Sequence, residues 1–140
     1  MRRRKSNLCV LRREERGVAA IEFALVAPVF ILLLFGIITF SLVFNRQQGL
    51  HAAAREGARV GALPQVTSAQ IRARVNDALV GVPLDGSPAI SILPSGANPC
   101  RNRPGGDVIV TINAPTAIEI PLWGNQTVTL TGRGTFRCEV

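Results

Sequence analysis

The sequence predicts an α+β protein. A long N-terminal transmembrane helix continues as a stalk, a short second helix follows, and the chain ends in a small antiparallel sheet of three to four strands. Three observations predict it. No charged residue occurs from Phe23 to Phe44, a run long enough to cross a bilayer core of ~30 Å. Gly49, Ala53, Gly57 and Gly61 then recur at every fourth residue, the spacing of one helical face. Beyond Gly81 the apolar period falls to two between Gly- and Pro-rich turns, the pattern of half-buried strands. The expected organisation is a basic cytoplasmic leader over 1–17, a transmembrane helix over 18–44, a helical stalk with its short partner helix over 45–80, and a β-rich module over 81–140.

Charge orients the chain. The protein carries a net +7 over 140 residues, which by itself raises nucleic acid as a partner. The distribution argues against it. Residues 1–17 hold seven Lys and Arg against Glu14 and Glu15, a balance of +5, and the rest of the chain holds only +2. With no Tyr and a single Trp, a base-stacking platform is poorly supplied. A basic tail ahead of an apolar helix is a topology signal, placing the N-terminus in the cytoplasm and the C-terminal module outside it, in the periplasm or at the cell surface. The run is also longer than the ~7–15 apolar residues of a cleavable secretory signal, so a single spanning helix is expected. Pro28 and Gly36 fall within it, as membrane helices tolerate.

Glu22 is the anomaly of that helix. It stands at the headgroup edge, where a carboxylate costs less than at mid-bilayer. One reading is an interfacial Glu that snorkels to water. The other needs a cation, and cleavage between Gly17 and Val18 would supply one, an α-amino group four residues from Glu22.

The residues Gly17-Val18-Ala19-Ala20-Ile21-Glu22-Phe23 resemble a class III prepilin-peptidase site, with Gly before the cut, Glu at the fifth mature position and an aromatic at the sixth. The wider stretch Arg16–Phe30 is similar to TadE-like minor pilins (pseudopilins) of the tight-adherence, or Tad, system. So are Ala53–Arg59 and the ending from Ile120-Pro121-Leu122-Trp123 to Leu130–Glu139. The related TadG-like proteins generally lack the Glu, and major Flp pilins are much shorter and commonly carry Tyr where this chain has Phe23. The resemblance implies a part in assembling or initiating a Flp-type pilus, hence adhesion and biofilm formation. It implies as partners a prepilin peptidase, other Tad pilins and minor pilins, and an inner-membrane assembly platform. The alternative is an uncleaved single-pass envelope protein whose β module binds an extracytoplasmic partner.

The remaining elements read more plainly. In residues 45–63 the small-residue stripe, with Leu50, Ala54 and Ala58 alongside, lets another backbone approach, either this chain's own sheet or a neighbour. Arg55, Glu56 and Arg59 occupy the opposite face. Pro64 stops the stalk, and Thr67-Ser68 caps a helix whose apolar face is Ile71, Val75, Ala78 and Leu79. Strands are expected over Ala89–Leu93, Asp107–Asn113, around Ile118–Leu122 with Pro121 at an edge or end, and over Thr127–Val140. Gly132 and Gly134 fall on the inward face of the last, which fits either a bulge or a close approach by the helix.

Cys9 lies in the basic leader, and Cys100 and Cys138 lie past the apolar run. On the oxidising side of a membrane the latter two can form a disulfide, closing a loop of about 37 residues and contributing about 3–4 kcal/mol; two reduced thiols are the alternative. Enzymatic chemistry has no support. There is no nucleophile motif, no phosphate-cradling Gly loop and no metal-ligand spacing, so no catalytic residue, cofactor or metal is expected. His51 reads as a helix-surface residue, Asp85 and Asp107 as turn residues, and Arg101 and Arg103 as a solvated loop.

Overall fold

The structure, a computed structural model, describes residues 7–120 and 124–139. Helix α1 covers Asn7–Gly61 and α2 covers Ser68–Ala78. Three strands follow: β1 (Ala89–Leu93), β2 (Asp107–Ile120) and β3 (Gly124–Arg137). The chain divides into two units, Met1–Ile38 and Thr39–Val140.

Within the second unit the strands form one antiparallel sheet in the order β1-β2-β3. Expected as three to four strands, the sheet has three among the described residues. The difference lies in β2. The segments read as separate strands at Asp107–Asn113 and from Ile118 onward are one strand of 14 residues, paired without interruption to β3 from Asp107↔Arg137 to Ile120↔Gly124. Leu122 and Pro121, assigned to that further strand, lie outside the described residues. Pro115 does not break β2 because pairing with β1 ends at Ala89↔Asn113. The backbone N–H of Ala117 points to that vacated edge and donates to Asp85. Pro115, two residues earlier, turns its ring nitrogen to the same side, where the ladder needs no donor.

The core lies between the sheet's inner face and the two helices. Val108, Val110, Ile112 and Ala114 of β2 alternate inward and are fully buried, as are Leu50, Ala53, Ala54 and Ala58 of α1 and Ile71 and Val75 of α2. Thr67 opens α2 with a reciprocal capping box. Its hydroxyl accepts the Gln70 N–H at 3.3 Å, while the Gln70 side chain accepts the Thr67 N–H at 2.9 Å, so two otherwise orphaned donors are satisfied.

The small residues of α1 serve this chain's own packing. A Cβ at Gly57 would fall on Val75, one at Gly61 within 2.8 Å of Ile71, and one at Gly49 within 2.8 Å of Val82. This row therefore admits α2 and the segment after it. The adjoining row of Leu50 and Ala54 meets β3, where Gly132 and Gly134 leave no Cβ in the way of the α1 backbone. Of the two readings of those glycines, close approach is the one seen. The register through Gly132↔Ile112 and Gly134↔Val110 is unbroken.

A disulfide joins Cys100, in the loop before β2, to Cys138, just after β3, with Cα atoms 5.4 Å apart. Beside it the Cys138 N–H donates to Gly106 O at 2.7 Å and the Glu139 N–H to Ala62 O at 2.9 Å. The chain end is thereby tied both to the β2 entry and to a carbonyl that the end of α1 would otherwise leave unpaired.

Candidate functional site

The residues that the sequence singles out for processing, Gly17, Val18, Glu22 and Phe23, all lie within α1 and are all exposed. Val18 and Glu22 are four residues apart, hence neighbours on one helical face with Cβ atoms ~5–6 Å apart. Nothing lies within 4 Å of where a Cβ on Gly17 would stand. In the same unit the apolar side chains from Phe23 to Ile38 point outward in every direction and none is buried. A helix apolar all round is unstable in water and requires lipid or other helices. This single N-terminal helix is long and apolar enough to cross a membrane.

Farther along, α1 is pinned by polar contacts that link elements distant in sequence. Arg46 Nη1 lies 2.9 Å from Asp85 Oδ2, and the same carboxylate oxygen accepts the Ala117 N–H at 2.9 Å. Asp85, expected as a turn residue, therefore bridges α1 to β2. His51, expected on the helix surface, is half-buried and its Nδ1 accepts the Arg133 N–H at 3.2 Å, which covers part of the open edge of β3. Local sequence carries no signal for either contact, since their partners lie 39 and 82 residues away.

Glu56 is the hub of a third link. Its carboxylate accepts from Arg59 Nε and Nη2, both at 2.9 Å, and from Arg74 Nε and Nη2 at 3.0 and 2.9 Å. The hydrogen bonds from Arg59 first, then those from Arg74, hold the Glu56 pKa down to about 2 from an ordinary 4.5. A lowered carboxylate pKa adds stability that is fully present above the unfolded value and is lost as pH falls toward the folded one. In wild-type protein part of the stability should therefore drain away between about pH 4.5 and 2. Glu56→Gln should lower the plateau near neutrality and flatten that acid limb by the same amount, a modest one because the Arg partners are solvent-exposed and screened. Unfolding midpoints measured against pH, at low and high salt, check it.

Among the described residues no group of three His, Cys, Asp or Glu could hold a metal ion. What the structure brings together is an exposed helical segment with a Gly, an amide bond and a carboxylate in register, and a braced module that includes the distal part of the same helix.

Residues 17–59 match the family model described as TadE-like protein. Over these residues the chain is similar to TadE-like proteins. The match opens on Gly17, takes in Glu22, Phe23 and the whole apolar run, and closes on Arg59. It thus includes the resemblance seen at Arg16–Phe30, apart from Arg16, and at Ala53–Arg59, while the similar-looking ending from Ile120 to Glu139 lies beyond it. No curated protein and no solved structure matches the chain. A TadE-like stem points to a protein associated with the Tad pilus, and its one apolar N-terminal helix to single-pass membrane anchoring.

Proposed function

We propose that this TadE-like chain is a minor pilin, or pseudopilin, that takes part in the assembly or initiation of a Flp-type (Tad) pilus used in adhesion. It is a structural subunit rather than an enzyme. The observation that carries the reading is the family match opening on Gly17, with Glu22 on the helical face of Val18. A membrane prepilin peptidase cuts between Gly17 and Val18, the basic leader is lost, and the mature subunit stays anchored through residues 18–44. The N-terminus is cytoplasmic, as the concentration of Lys and Arg ahead of the helix supports. The module beyond residue 45 then stands on the oxidising side, where the Cys100–Cys138 disulfide is at home. Other Tad pilins and the inner-membrane assembly platform are its partners.

Gly17 isolates the processing step. A cleaved peptide must present its backbone closely to the catalytic groups, which a residue without Cβ allows. The open space around Gly17 means that a side chain there would disturb no packing in the protein itself. Gly17→Leu should therefore leave folding and membrane insertion intact while reducing cleavage from nearly complete to nearly none. Intact mass and N-terminal sequencing of protein extracted from peptidase-containing membranes measure both. A wild-type chain that keeps its leader in such membranes would favour the uncleaved envelope protein instead.

A further inference from the structure

The β2–β3 hairpin runs on past the packed core, and its course along α1 can be followed residue by residue. The backbone of Gly134 lies against Ala54 and that of Gly132 against Leu50. Two residues back along β3 thus correspond to four back along α1, ~6.8 Å of strand against ~6 Å of helix. The same step brings Leu130 level with Arg46 and Val128 level with the residues just before it. A side-chain contact agrees. Arg46 is held by Asp85, which also takes the N–H of Ala117, the partner of Thr127. From there the two strands stay paired for three more positions, to Ile120↔Gly124, a further ~10 Å at ~3.4 Å per residue.

Arg46 is the first charged residue after the apolar run, and on its N-terminal side Phe40, Leu42 and Phe44 are exposed at 70%, 60% and 51%. The hairpin end therefore passes the charged layer of Arg46 and Asp85 and reaches the level of these apolar residues. Its helix-facing side continues the core pattern and loses its cover beyond Thr116. Thr116 is fully buried, Ile118 half-buried, and Ile120 and Val128 are exposed. Between Ile118 and Val128 the described residues carry one charge, Glu119, on the opposite face of the sheet.

We propose that this end of the hairpin lies in the interfacial layer of a phospholipid bilayer, where Ile118, Ile120 and Val128 meet lipid alongside Phe40 and Phe44. The proposal rests on α1 being a membrane span. Lipid is the occupant because the uncovered side of the hairpin is continuous with the exposed apolar surface of α1 at the same level. The strands also pair with each other to their last described residues, which limits the unpaired backbone brought to the membrane. The module would then touch the bilayer at two places, the helix and the hairpin, and its face toward partners would be fixed in rotation about the helix.

The test is depth measurement by nitroxide labels on the full chain, in a Cys9→Ser background with the Cys100–Cys138 disulfide intact. The protein is reconstituted at low density in vesicles of phosphatidylethanolamine and phosphatidylglycerol. Labels stand at Ile120→Cys, at Thr135→Cys on the solvent face, and at Leu33→Cys in the span. The expected result is that oxygen relaxes the labels at 120 and 33 more than a water-soluble nickel chelate does, with the order reversed at 135. A label at 33 in lipid with the label at 120 in water would overturn the hairpin contact and leave the span standing. A label at 33 in water would overturn both. Protection at 120 that vanishes as the protein is diluted with lipid would assign the surface to a second copy of the chain, and would overturn the lipid contact.

Discussion

Alanine at Gly134 should destabilise the module formed by residues 39–140 by about 3 kcal/mol, at the upper end of what inserted methyl groups cost in packed interiors. The reason is what the new Cβ would meet. At Gly134 it would fall on the carbonyl of Ala54 and the N–H of Arg55, and at Gly132 on the carbonyl of Leu50. These are backbone atoms of a helix, not the far ends of flexible side chains, so relief requires moving the whole helix away from the sheet. That movement would open the layer in which Leu50, Ala54, Val110 and Ile112 are fully buried. Against a total stability of ~5–15 kcal/mol, a loss of this size is a large fraction. Gly132→Ala should behave alike, and the two changes should not add, because both are relieved by the same displacement. Ala54→Gly should fail to rescue Gly134→Ala, since the clash is with the carbonyl rather than the methyl. Thr135→Val, one residue farther along on the solvent face, should stay within about 0.5 kcal/mol of wild type. Denaturant unfolding of the detergent-solubilised protein, disulfide intact, measures all four.

Much of this packing could be read from residue spacing, and what could not be read has a physical cause. The four-residue recurrence of Gly49, Ala53, Gly57 and Gly61 announced a surface that another backbone approaches, but spacing within one helix cannot say whose backbone. The structure gives α2 through Val75 and Ile71, and the segment carrying Val82. The alternation from Thr127 onward placed Gly132 and Gly134 on the inner face, yet a bulge and a close approach leave the same trace in one strand. Only the unbroken pairing with β2 separates them. The break expected between Asn113 and Ile118 is absent, and Pro115 makes none because a missing N–H ends a ladder only where a partner strand needs it, and β1 stops short of Pro115. Cys100 and Cys138, which the sequence places together past the apolar run, are bonded in the structure. The bracing contacts of Arg46 with Asp85, His51 with Arg133 and Glu56 with Arg74 were invisible. Each joins groups from separate elements, and no local propensity or period encodes such a meeting. In the candidate site the legible part is the pattern Gly17, Val18, Glu22 and Phe23, all within one helix, where spacing alone fixes the geometry.

Glu22→Ala should leave cleavage after Gly17 largely intact while strongly reducing incorporation of the subunit into pili. The proposed processing would create a new charge. Cutting between Gly17 and Val18 would remove the seven basic residues of the leader and leave one α-amino cation at the head of a helix with no charge from Phe23 to Phe44. Within a single subunit at the membrane surface that cation can reach water. In an assembled bundle of such helices it is drawn into a water-poor interior, where one unpaired charge costs about 2.5–3.5 kcal/mol. Glu22, one helical turn along the same face, can neutralise this amine or that of an adjoining subunit, and pairing with a neighbour would fix axial register as well. Losing the carboxylate should therefore cost roughly 10²-fold in the assembly equilibrium, at about 1.4 kcal/mol per factor of ten. Glu22→Gln separates charge from shape. It keeps the side-chain length and its hydrogen-bonding capacity, so if neutralisation is the requirement it should fail nearly as badly as Ala. If the need is only for a polar group that snorkels to water at the membrane edge, Gln should assemble normally. The readouts are N-terminal sequencing of the membrane form, which should show Val18 as the first residue in all three proteins, and the amount of subunit in sheared pili. Normal incorporation of the Ala variant would return Glu22 to the role of an interfacial carboxylate and leave Gly17 as the functional residue of the segment.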